Sequence, residues 1–134
     1  MTSAQPIVRQ PCPPGACICE REQLLATPGA DLRILRLTRA EEKRLLERLE
    51  ALVSLDDLRH MQGRIQLQLG LTVEVAPGPN EVRSMRGFRI EVLACPGLCR
   101  KTRQAIPAAI RRALEARPEI AYALLDAHDL FGQG

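Results

Sequence analysis

The sequence predicts an α+β fold: two N-terminal amphipathic helices, a β-hairpin and two C-terminal helices, behind a Cys/Pro-rich N-terminal tail. Three observations carry that reading. Apolar residues recur at helical spacing in two stretches between 39 and 69 and in two more beyond 105; they alternate with polar residues over 71–75 and 88–93; and Gly or Pro marks each change of period. At 134 residues the chain is one domain, long enough to bury a core without cross-links. Residues 20–134 are therefore read as a single α+β domain and residues 1–19 as a tail or metal loop.

Within 1–19, Pro6, Pro11, Pro13 and Pro14 leave no apolar periodicity, so only docking or a bound metal would order the segment. One helical turn is expected over 20–27, stopped by Pro28-Gly29. Leu32–Leu37 is an apolar run interrupted by Arg33 and Arg36, read as strand or extended chain. Thr38 with Glu41 has the spacing of a capping box, in which hydroxyl and carboxylate satisfy the first unpaired N–H groups of a helix. A helix over 39–53 follows, with Leu45, Leu46, Leu49, Leu52 and Val53 as its buried stripe. Ser54 with Asp57 repeats the cap, and Leu58, Met61, Ile65 and Leu69 define a second helix ending at Gly70. The two are expected to pack as a pair.

From Leu71 the period is two: Leu71, Val73 and Val75 share one face and Thr72 and Glu74 the other. Ala76-Pro-Gly-Pro-Asn80 is a turn by composition, and Phe88, Ile90 and Val92 form a returning strand, with Gly87 a candidate bulge. Ile106, Ile110 and Leu114 then mark a helix containing Pro107, which kinks it unless it lies in the first turn. Arg117-Pro118 breaks that helix, and a last one over 118–131 buries Ile120, Leu124, Leu125 and Phe131.

Composition excludes several functions. Phe88, Tyr122 and Phe131 are the only aromatic residues, so the core is aliphatic and no stacking platform for single-stranded nucleic acid can be built. There is no nucleotide-binding loop, nucleophile elbow or zinc-protease helix. No apolar stretch suits a signal peptide or a membrane span, so a cytoplasmic protein without membrane partners is expected. Arg outnumbers Lys 17 to 2, which reads as GC-rich coding bias and a bacterial source.

Chemistry is concentrated in the five cysteines. Cys12, Cys17 and Cys19 fall in one Pro/Gly-punctuated segment, and Cys95 and Cys99 bracket a second, Cys95-Pro-Gly-Leu-Cys99. In a reducing compartment an odd, clustered set reads as metal-binding or reactive thiols rather than a disulfide frame. The spacings Cys-x4-Cys-x-Cys and Cys-x3-Cys are not those of common zinc ribbons. The first opens like a plant-type two-iron ferredoxin but departs at the next gap, so no family follows. Four thiolates drawn from the two segments would suit Zn²⁺ or an iron–sulfur cluster, with Cys99, just before a helix, the preferred fourth ligand.

Charge supplies the second clue. Residues 81–112 carry eight basic residues against two acidic, a net +6, whereas 113–134 carry one against four. Within this band Arg83, Arg86, Arg89, Arg100, Lys101 and Arg103 are candidate anion- or partner-binding residues. Arg100, Lys101 and Arg103 lie where a helix should start, and cations there oppose the helix dipole by about 0.3–1 kcal/mol each. His60 beside Asp56 and Asp57, and His128 between Asp126 and Asp129, could each be a carboxylate-oriented base. Surface histidines paired with helix acids are commoner, and no catalytic residue is assigned.

The function expected from these features is that of a small metal-binding protein, structural, sensing or regulatory, with no turnover required. One alternative is a regulator that binds nucleic acid or an acidic protein through the basic band. The other is a thiol oxidoreductase using Cys99 or the Cys17/Cys19 pair.

Overall fold

A computed structural model describes residues 20–77 and 88–132, with side chains as far as Ala127. The order is α1 (Arg21–Ala26), a 3-10 turn (Arg33–Arg36), α2 (Arg39–Glu50), α3 (Leu55–Leu69), β1 (Val73–Pro77), β2 (Phe88–Val92), α4 (Arg100–Ala116) and α5 (Pro118–Gly132). This is the α+β arrangement expected, five helices around one antiparallel hairpin. The expected bulge at Gly87 and most of the Ala76–Asn80 turn lie outside the described residues.

Helix boundaries follow the capping chemistry. Thr38 Oγ1 accepts from the Glu41 N–H at 3.3 Å, but the Glu41 carboxylate turns to Arg44, so only half of the predicted box forms. Ser54 Oγ accepts from the Asp57 N–H at 3.0 Å, and Asp57 reaches back to the Val53 N–H at 3.1 Å. Gly70 closes α3 in the left-handed conformation, φ 71°, which glycine adopts without strain. Pro118 starts α5, where its missing N–H costs nothing.

Two expectations are corrected. The run Leu32–Leu37 is a 3-10 turn and not a strand. Ile34, Leu35 and Leu37 are all buried, and Leu37 falls three residues after Ile34, on the same side of a turn with three residues per revolution. The helix from 39 ends at Glu50 rather than 53, which leaves Val53 55% exposed in the connection. Nor do α2 and α3 form the main packed pair. Helix α2 lies chiefly on α4, while α3 packs on the 3-10 turn, α5 and β1.

The sheet has two strands in the register Val73↔Val92, Val75↔Ile90 and Pro77↔Phe88. The Leu93 N–H bonds to Thr72 O at 3.0 Å, so by antiparallel alternation the ladder bonds also join Glu74 to Glu91 and Ala76 to Arg89. The backbone groups of Val73, Phe88, Ile90 and Val92 therefore point away from the partner strand. Helix side chains meet several of these outward carbonyls: Gln62 of α3 donates to Val73 O at 2.8 Å, Arg103 of α4 to Val92 O at 3.2 Å, and Arg111 to Phe88 O at 3.3 Å. An isolated hairpin is marginal in water. Here flanking helices cover one face, and side-chain donors reach one carbonyl on the β1 edge and two on the β2 edge, where open strands invite aggregation.

Among the described residues the core is aliphatic apart from Phe88 and Met61, as the composition requires. Helix α4 is its hub: Ile106, Ala109, Ile110, Ala113 and Leu114 are buried, and the helix touches α2, α5 and β2. It runs continuously through Pro107, eight residues into the helix and half-buried. Because proline has no N–H, the carbonyl of Arg103 loses its helical donor.

Asp57 ties α2 to α3. Its carboxylate takes two bonds from Arg48, one at 3.1 Å, besides the Val53 N–H, and it is 13% exposed. The Arg48 hydrogen bonds are the largest cause that holds its pKa below the usual 3.8. A carboxylate whose folded pKa is depressed stabilises the fold above its unfolded pKa and loses that contribution as pH falls through the folded value. Asp57→Asn is expected to cost about 1–2 kcal/mol at neutral pH and to flatten the decline of stability below pH 4 in urea titrations across pH. An unchanged acid limb would contradict this role.

Candidate functional site

Beyond β2 the chain makes a sharp turn before α4. Leu98 N–H bonds to Cys95 O at 3.2 Å, closing a four-residue turn with Pro96 second and Gly97 third. Gly97 has φ 90°, the left-handed value that a type II turn demands at that place. A Cβ on Gly97 would stand 2.7 Å from Leu24 Cδ2 and 2.8 Å from Ile34 Cγ2, so the turn is pressed directly onto the core. Leu98 is buried beside it. The two cysteines are thus held on a rigid corner fixed by packing.

Cys95 and Cys99 are both half-buried, and neither is in a disulfide. The Cys95 thiol lies 3.5 Å from Pro96 O. Burial pushes its pKa up, and the negative charge of Asp31 adds to the effect. Asp31 itself is held at about 2 by its hydrogen bonds from Arg33. Both effects favour the neutral thiol of Cys95 over its thiolate. Cys99 is the N-cap of α4, and its side chain makes no capping bond.

Two adjoining depressions flank this corner. One, about 430 Å³, is lined by Glu20, Cys95, Pro96 and Leu98 with Ala94, Arg100 and Arg103. The other, about 650 Å³, shares those last three and extends between β2 and α4 past Leu93 and Gln104 to Ile90 and Pro107. Together they form an open trough. At its near end Glu20, the residue after Cys19, has a left-handed φ of 62°, unusual for a side chain other than Gly, Asn or Asp.

Cys12, Cys17 and Cys19 lie outside the described residues, as do Arg83, Arg86 and the side chain of His128. Among the described residues no three His, Cys, Asp or Glu side chains gather as a metal would require. Arg100 and Lys101 do begin α4, as their spacing suggested, and both are exposed. Other parts of the basic band are committed elsewhere. Arg103 and Arg111 hold strand carbonyls, Arg112 pairs with Glu50, and Arg89 stands 4.0 Å from Glu91. His60 is exposed, and its neighbour Asp57 is engaged by Arg48, so no oriented base forms there. Sequence reasoning missed Glu20 and the strand-edge role of Arg103. Only folding puts either of them beside Cys95.

No helix among the described residues is long and apolar enough to cross a membrane. Comparison with protein-family models, curated proteins and solved structures returned no match.

Proposed function

We propose that the chain is a small thiolate metal-binding protein that holds Zn²⁺ or an iron–sulfur cluster at the Cys95–Cys99 corner, in a structural, sensing or regulatory role. One observation carries the reading: Glu20, the immediate successor of Cys19, lines the same depression as Cys95. Cys19 immediately precedes Glu20 in the chain and Cys17 lies three residues before it, so a centre shared by thiols of the two cysteine segments is proposed beside Glu20. Cys17, Cys19 and Cys99 are the core of the proposed donor set, completed by Cys12 or Cys95. Thiolates are the appropriate donors for either centre, and the guanidinium groups of Arg100 and Arg103, which line this depression, offset their negative charge.

The test is elemental analysis and absorption spectroscopy on full-length protein prepared without oxygen. Near-stoichiometric zinc or iron is expected, with Cys17→Ser, Cys19→Ser and Cys99→Ser each losing it and His60→Ala retaining it. Uptake should release protons and weaken as pH falls, because each thiol must deprotonate and Cys95 starts from a raised pKa. Folded protein that is free of metal and shows no sulfur-to-metal charge-transfer band would overturn the proposal.

A further inference from the structure

Helix α3 has a second, outward face that the fold does not bury. Asp56, His60, Gly63 and Leu67 follow one another at intervals of four, three and four residues, which sets them within about 60° of arc on a helix, opposite the buried stripe of Leu58, Met61 and Ile65. All four are exposed, and Leu67, at 74%, is the most exposed large apolar residue among those described. Val53, 55% exposed, stands just before the helix, where its N–H donates to the Asp57 carboxylate at 3.1 Å. We propose that this face is the contact of a weak homodimer, in which α3 of one protomer packs antiparallel on α3 of its partner about a two-fold axis at His60.

The order of residues supplies the complementarity. Val53 and Leu67 stand seven residues to either side of His60, and Asp56 and Arg64 four to either side. An antiparallel crossing at His60 therefore sets each Leu67 against the partner's Val53 and each Asp56 against the partner's Arg64. Both contacts occur twice, as a two-fold interface requires. A parallel crossing would instead place Asp56 beside Asp56 and Arg64 beside Arg64. Neither Asp56 nor Arg64 enters an ion pair or a side-chain hydrogen bond within the chain, so both charges are available to a partner. Gly63, with nothing within 4 Å of an added Cβ, leaves bare backbone next to the axis, where a second helix can come close. Arg59 falls on the flank of the face, where solvent screens it from its copy.

Other occupants fit less well. Leu67 is the one apolar anchor on the outward stripe of α3, too little for a lipid surface, and Asp56 in the same line repels phosphate. The chain's own segment 1–19 has no acidic residue to offer to Arg64. Size sets the strength. A helix of 15 residues is about 22 Å long, so the contact is smaller than the roughly 800 Å² per partner of a standard interface, and the dimer has a Kd of about 0.1–1 mM.

The experiment is sedimentation equilibrium on full-length protein from about 10 µM to 1 mM, a range that spans this affinity, with NMR on a mixture of ¹³C-labelled and unlabelled chains. Dimer that grows with concentration is expected, together with contacts between the methyl groups of Leu67 in one chain and Val53 in the other. Leu67→Glu and Arg64→Asp should each weaken association about tenfold, since every substitution enters the interface twice. Asp56→Arg combined with Arg64→Asp should restore it, and Glu47→Arg, exposed on α2, should leave it unchanged. Circular dichroism confirms that each variant is folded. The proposal is overturned if the protein stays monomeric to 1 mM, if the charge swap is no tighter than Arg64→Asp alone, or if Glu47→Arg weakens association as much. It is also overturned if Leu67 contacts residues 1–19 of its own chain, since then the tail covers this face. Every substitution lies on a helix and none at a cysteine, so this proposal and the metal reading fail separately.

Discussion

Gly97→Ala should destabilise the protein by about 3 kcal/mol, a large share of the roughly 5–15 kcal/mol by which a domain is stable. Two causes act together. A φ of 90° strains any residue with a Cβ, at about 1–2 kcal/mol. The new methyl would also stand under 3 Å from Leu24 and Ile34, both buried, and overpacking of this kind costs about 1–3 kcal/mol. The natural control is Gly63→Ala, in the middle of α3 with nothing within 4 Å of the added Cβ. It should raise stability by about 0.5–1 kcal/mol through helix propensity alone. Urea unfolding of the pair measures both, and equal effects at the two glycines would refute the assignment of Gly97 as the core-facing corner of the cysteine turn.

Truncating the hub helix should have a comparable or larger effect. Ile110 is fully buried on α4, the element that joins α2, α5 and β2. Ile110→Ala removes three carbons from the interior and leaves a cavity that three neighbouring elements cannot all close, at about 2–5 kcal/mol. Leu67→Ala is the contrast, because Leu67 is 74% exposed on α3 and should change stability by less than about 0.5 kcal/mol. The midpoint of denaturation should move for Ile110→Ala with little change in slope. A small shift would mean that α4 is not the centre of the core.

Much of this architecture is legible in the residues themselves. The period-3.6 stripes of Leu58, Met61 and Ile65 and of Ile106, Ile110 and Leu114 became buried helix faces, and the alternation Phe88, Ile90, Val92 became the buried face of β2. The Ser54 cap and the Gly70 stop acted as their chemistry requires. The errors have a common character. Leu32–Leu37 was open to a strand reading because its short apolar run carries no usable period, and α2 was paired with α3 because neighbours in sequence often pack together.

The candidate site was half legible. The clustering of cysteines and cations near 95–103 is legible because residue type and spacing are local information. That Glu20 lines the same depression as Cys95 and that Arg103 and Arg111 hold carbonyls of β2 both depend on elements distant in sequence.

Hydrogen-bond capping and apolar periodicity act over a few residues, so the sequence by itself determined where helices and strands begin, which faces are apolar and where thiols and charges concentrate. Which faces meet was decided only in the tertiary structure. Burial rewards area removed from water whatever its place in the chain, and many pairings of apolar stripes satisfy it until the whole core is packed at once. The close approach of Gly97 to Leu24 and Ile34 comes from that packing, as does the trough between β2 and α4.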